Sequence, residues 1–120
     1  MTATATAGQN TFVGYHAGLQ NTSIQNTFMG FNAGQANTGG AFNTFIGNLS
    51  GVSNNIGNQN TFIGDSSGMA NTNGDANVFI GQGSGDANQS GNENVFIGTD
   101  AGGANTGGDR NVIIGANAGL

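Results

Sequence analysis

Asn60-Thr61-Phe62-Ile63-Gly64 decides the reading of this chain, because the pattern returns along nearly its whole length. It appears as Asn10-Thr11-Phe12-Val13-Gly14, Asn26-Thr27-Phe28-Met29-Gly30 and Asn43-Thr44-Phe45-Ile46-Gly47. Beyond Asn60 it returns as Asn77-Val78-Phe79-Ile80-Gly81, Asn94-Val95-Phe96-Ile97-Gly98 and Asn111-Val112-Ile113-Ile114-Gly115. The seven copies begin at residues 10, 26, 43, 60, 77, 94 and 111, so the first spacing is 16 residues and the next five are 17. A fixed period of this kind marks small supersecondary units stacked in a row, each burying its apolar face against its neighbours. Residues 1–120 therefore read as one repeat domain.

Numbering each repeat from its Asn shows which columns are invariant within the chain. Position 5 is Gly in every copy and so is position 9, while position 15 is Gly40, Gly57, Gly74, Gly91 and Gly108. Glycines at fixed columns mark stacked turns, where the backbone needs positive φ or close approach. Position 12 is always Asn where present, and position 8 is always Ala or Ser. Positions 1–4 are β-branched and aromatic, as strands prefer. Positions 8–13 are small and read as a second short extended piece, and Gly and Asn at this density argue against helix. The expected fold is all-β: a parallel β-solenoid of about seven 17-residue coils, with two short strands and two Gly-rich turns per coil. Stacked at about 4.8 Å per coil, it makes a rod roughly 33 Å tall.

Stacking turns columns into ladders. Asn at positions 1 and 12 can hydrogen-bond along the axis, as amides do in cross-β stacks. Phe12, Phe28, Phe45, Phe62, Phe79 and Phe96, closed by Ile113, form one apolar ridge. Val13, Met29, Ile46, Ile63, Ile80, Ile97 and Ile114 form another. Neighbouring residues of a strand point to opposite faces, so both faces are apolar and a narrow coil can bury only one. The reading assigns the Phe column to packing between chains, since an apolar ridge along the whole rod exceeds what a soluble monomer leaves exposed. The alternative is a wide coil whose second layer covers that face internally.

Composition narrows the classes of function. Only 6% of residues are charged, against about 25% in an ordinary globular protein. Scarce charge, absent Pro and apolar residues in strict register set the chain apart from disordered Gly-rich segments. Arg110 is the only basic residue and the net charge is −5, which argues against nucleic-acid binding and against attraction to an anionic membrane. No apolar run approaches the roughly 20 residues that span a bilayer, and Met1–Thr6 lacks the pattern of a signal segment. Without Cys there are no disulfides.

The motif Asn-(Thr/Val)-Phe-(Ile/Val/Met)-Gly-x-x-(Ala/Ser)-Gly, over residues 10–120, resembles the head repeats of YadA-type trimeric autotransporter adhesins. It is similar as well to Gly/Asn-rich repeats of phage tail fibres and bacterial surface proteins. The resemblance implies a left-handed β-roll, a trimer packed about one axis, an extracellular, cell-surface or virion location, and a host-surface or glycan receptor. The strand motif of that family, Ser-Val-Ala-Ile-Gly, has a small residue where this chain has Phe, and its coils are shorter.

Residues with chemistry are few. His16 is the only His and occupies a variable turn position, and Ser50, Ser67 and Ser84 replace Ala in a column with no base beside it. No catalytic site, metal site or cofactor is expected. Gly107-Gly108-Asp109 faintly resembles calcium-binding solenoid repeats, but Asp75 and Asp109 share their column with Ala41, Asn58 and Asn92 and calcium needs more carboxylates. Tyr15 and Phe31 share position 6 on adjacent coils beside His16, forming a candidate surface patch for a sugar or a partner protein, or a seal against a neighbouring subunit. Both ends read as uncapped, with residues 1–9 fitting the back half of a preceding coil, which suits head-to-tail assembly. The leading expectation is a structural, self-associating fibre protein, as a trimer or a head-to-tail filament. The rival is ice binding through the ladder Thr11, Thr27, Thr44 and Thr61, which gives way to Val78, Val95 and Val112.

Overall fold

The computed structural model describes residues 8–120 and is a β-solenoid, a rod with extents of 38 × 21 × 16 Å. Seven three-residue strands follow one another in the chain: β1 (Thr11–Val13), β2 (Thr27–Met29), β3 (Thr44–Ile46), β4 (Thr61–Ile63), β5 (Val78–Ile80), β6 (Val95–Ile97) and β7 (Val112–Ile114). They pair in parallel, in sequence order, as a single sheet. The register matches every column to itself: Thr44 pairs with Thr61, Phe45 with Phe62 and Ile46 with Ile63. The 16-residue spacing between the first two copies leaves this register unchanged, Phe12 pairing with Phe28. The half-coil expected over residues 1–9 falls almost wholly outside the described residues.

Each coil carries one strand, where the sequence suggested two. The small-residue side is a run of turns. In the coil of β4, the amides of Ser67, Met69 and Asn71 donate three residues back to the carbonyls of Gly64, Ser66 and Gly68 at 3.1–3.3 Å. The amides between them turn to neighbouring coils: Ser66 to Asn48, Gly68 to Ser84 and Ala70 to Asp86, at 2.8–3.0 Å. Alternate amides thus close the coil and join it to the stack, which satisfies the backbone without a second strand. The turns need positive φ at positions 7 and 9. Position 9 is Gly, but position 7 is held by His16, Asn32, Leu49, Ser66, Asp100 and Asn117 at φ of 53–57°.

The interior of the coil is filled by one ring and two amides. Phe28, Phe45, Phe62, Phe79 and Phe96 are fully buried, with successive ring centroids 4.8–5.0 Å apart and ring planes within 5–10° of parallel. Strand hydrogen bonding dictates that spacing, and it lies within the range that offset-stacked rings prefer. Gly68 explains how so thin a coil closes: a Cβ there would sit 2.5 Å from the ring of Phe62. Bare backbone lies flat on the ring.

Beside the rings run the two expected Asn ladders. The backbone amide of each position-1 Asn donates to the side-chain oxygen of the Asn one coil earlier, Asn60 to Asn43 and Asn77 to Asn60 at 2.9 Å. Its own amide nitrogen crosses the coil to the position-15 carbonyl, Asn60 to Gly74 at 2.7 Å. Position 12 forms the second ladder, Asn54 to Asn37 and Asn71 to Asn54 at 2.7–2.8 Å, and donates to the same position-15 carbonyls. At Gly74 a Cβ would meet Asn71 Oδ1 and the Gly91 carbonyl, so no side chain fits there. The buried amides of both ladders are paired, as burial of polar groups demands, while Asn32 Oδ1 in the turn is buried without a partner.

Candidate functional site: the outer face of the sheet

Alternation along the strand decides which ridge is free. With Phe inside, positions 2 and 4 point outward on the opposite face of the sheet. The Phe column is therefore corrected from a contact between chains to the core of one chain. Phe28, Phe45, Phe62, Phe79 and Phe96 have no exposed surface, and Phe12 and Ile113 pack on the ends of the stack, half-buried. The physical reason is the Gly at position 9, which lets the far side of the coil collapse onto the ring. A wide coil with a second internal layer is equally absent from the described residues.

The outward columns form a flat wall of Thr or Val beside Val, Met or Ile. Thr27, Thr44, Thr61, Val78 and Val95 are half-buried at position 2, as are Ile46, Ile63, Ile80 and Ile97 at position 4. Val13, Met29, Val112 and Ile114 are more exposed still, at 44–71%. Each of these side chains stands beside its equivalents one coil above and below. At one edge of the wall, in the turn leading into the strands, lie the exposed Ile24, Phe42 and Ile56. At the other edge Tyr15 and Phe31 stack with centroids 5.5 Å apart and planes 11° from parallel.

The aromatic patch expected from Tyr15, His16 and Phe31 is thus assembled, with Tyr15 64% and Phe31 49% exposed. His16 packs on the Tyr15 ring at 3.8 Å. Rings that face one another along the rod present edges outward, whereas sugars dock on open ring faces. The patch extends the apolar wall better than it makes a sugar platform. Position 8 serinae are structural: Ser50, Ser67 and Ser84 donate at 3.0 Å to the carbonyls of Phe62, Phe79 and Phe96 in the next coil.

Titratable groups do not converge. Among the described residues no three His, Asp or Glu gather in metal-binding range. Asp75 and Asp109 accept the backbone amides of Asn58 and Asn92 at 2.7 Å, taking the place that Asn92 Oδ1 holds under Asp75. They are rungs of an outer Asx ladder. Asp86 is pushed up from the ordinary carboxylate value, first by burial and then by the neighbouring charge of Asp100. Glu93 and Arg110 form an exposed ion pair at 2.9 Å, of a kind that contributes little to stability.

One feature missed in the sequence reading is the segregation of charge. All seven charged side chains lie between Asp65 and Arg110, and residues 1–64 carry none. The first four strands and the exposed Tyr15, Ile24, Phe31, Phe42 and Ile56 belong to the uncharged part. The signal was available as a 64-residue run without Asp, Glu, Lys or Arg, and the column-by-column reading passed over it. No family model matches this chain, and no curated protein or solved structure matches it either.

Proposed function

We propose that the protein is a structural element that works by lateral self-association of its solenoid through the outer face of the sheet. The observation that carries this reading is the continuous apolar wall of positions 2 and 4, in perfect register over seven coils, on the one face that the chain's own core leaves uncovered. A wall of this length exceeds the few hundred Å² of contiguous apolar surface that soluble monomers leave open. The rest of the surface is turns, whose backbone amides bond largely within the stack. The YadA-like and tail-fibre resemblance of the repeat adds to this reading and suggests use in an exposed fibre.

A Thr ladder on a flat sheet is the geometry that ice binding would use, and Thr11, Thr27, Thr44 and Thr61 do stand on the outer face. Three of the seven rungs are Val, and the neighbour column is apolar throughout, so the wall is better suited to excluding water than to ordering it. Light scattering across a concentration range separates the readings. The native chain is expected to show a multiple of the single-chain mass, and Ile63→Ser with Ile80→Ser is expected to bring it to one chain with unchanged β signal. A native monomer at every concentration overturns self-association, and thermal hysteresis of that monomer would put ice binding in its place.

A further inference from the structure

Resting on the self-association reading, we infer that the occupant of the outer face is a second copy of this chain running antiparallel to the first, coil n lying over coil 8 − n. Three observations lead there. The first is area. The side of the rod that carries the sheet is 38 Å long and at most 21 Å wide, so it projects at most about 800 Å², the area per partner of a standard-size interface. Only contact along the full sheet reaches that value. A single flat face meeting its own copy is an isologous contact, which closes at two chains, whereas a ring of three needs two different faces per chain.

The second observation is charge. The net charge of −5 is confined to residues 65–110. Parallel rods would lay these two acidic segments side by side, within reach of one another on the scale of the roughly 8–10 Å screening length. Antiparallel rods lay each acidic segment on the other chain's uncharged coils.

The third is what the antiparallel register brings together. A twofold axis along the strand direction keeps positions 2 and 4 facing themselves. It sets Thr27 over Val95 and Thr44 over Val78, with Met29 over Ile97 and Ile46 over Ile80. Thr61 and Ile63 of the central strand meet their own copies on the axis. At the turn edge, Phe42 and Arg110 occupy the same column, four coils apart. Phe42 stands just before β3 and Arg110 just before β7, so this register sets the half-exposed Phe42 opposite Ala76, just before β5, and Arg110 opposite Gln9, just before β1. The one like-charge meeting is Asp65 with its copy, at the solvated rim where water and salt weaken it.

The chain has no Cys, so single thiols report the arrangement cleanly. Thr27→Cys and Val95→Cys, both on the outer face, are expected to stay uncross-linked when each is oxidised alone. Mixed, they are expected to give a disulfide-linked heterodimer at least several-fold above either homodimer. A parallel pair about an axis along the rod sets position 2 over position 4 of the same coil. It would instead cross-link Thr27→Cys with Met29→Cys, overturning the orientation while leaving self-association intact. Light scattering on the same samples separates the two levels. A fixed two-chain mass with the Thr27–Val95 cross-link supports the inference, a three-chain or unlimited mass overturns it, and a one-chain mass overturns the proposed function with it.

Discussion

The two faces of one sheet are built to different rules. Inward, each strand offers a single Phe whose ring is enclosed by its neighbours in the stack, a bare glycine and two amides, with no tolerance for change in shape. Outward, residues one position away vary more freely: Thr exchanges with Val, and Ile with Val or Met, along the wall. The difference teaches that the core is specified by shape and hydrogen bonding, while the outer face is specified by water exclusion alone. A variant of Phe62 should therefore act on folding, and one of Ile63 on association.

The comparison breaks most visibly at the ring. Phe62→Ala removes the middle of an uninterrupted stack and leaves a cavity that the amide ladders prevent from collapsing. The expected loss is about 3–5 kcal/mol, read as a lowered denaturant midpoint, whereas Ile63→Ala should cost well under half of that. Equal costs would mean that the ring column carries no special share of the fold. Next in size is Gly68→Ala, at φ 59° with its Cβ against the Phe62 ring. A left-handed Ala costs about 1–2 kcal/mol before any ring movement. Replacing Ala70, whose amide joins the stack without positive φ, with Gly should cost less.

The smallest effect is electrostatic and lies at the charged end. Burial and Asp100 raise Asp86 in the folded chain, so the folded state holds its proton to higher pH than the unfolded state does. By linkage, stability then falls as pH rises from the ordinary carboxylate value through the raised one. Asp86→Asn should flatten that part of a thermal-stability profile and raise stability slightly at neutral pH. An unchanged profile would show that burial and Asp100 do not raise Asp86.

The period, the ladders and the parallel register were legible because they need only identity at fixed columns. Asn60 and Asn71 are internal for a reason that sequence exposes: an amide can bridge 4.8 Å steps on both of its ends. Which apolar ridge faces inward was not legible. Phe62 and Ile63 are equally apolar, and the choice rests on Gly68, whose contact with the ring depends on how the turn folds back. The second strand was misread for a related reason. Small residues suit both an extended piece and a chain of tight turns, and only the alternation of Ser67, Met69 and Asn71 amides with those of Ser66, Gly68 and Ala70 separates the two. Positive φ at Leu49 and Ser66 was hidden because position 7 varies freely in chemistry.

That alternation of amides has a consequence for the length of such a molecule. Every coil is closed by its own bonds and joined to its neighbours by a largely repeating set, so a coil is close to a complete module. Removing or adding one 17-residue unit would keep every remaining strand in the same column register. The length of such a rod is therefore quantised, changing by about 4.8 Å for each coil added or removed.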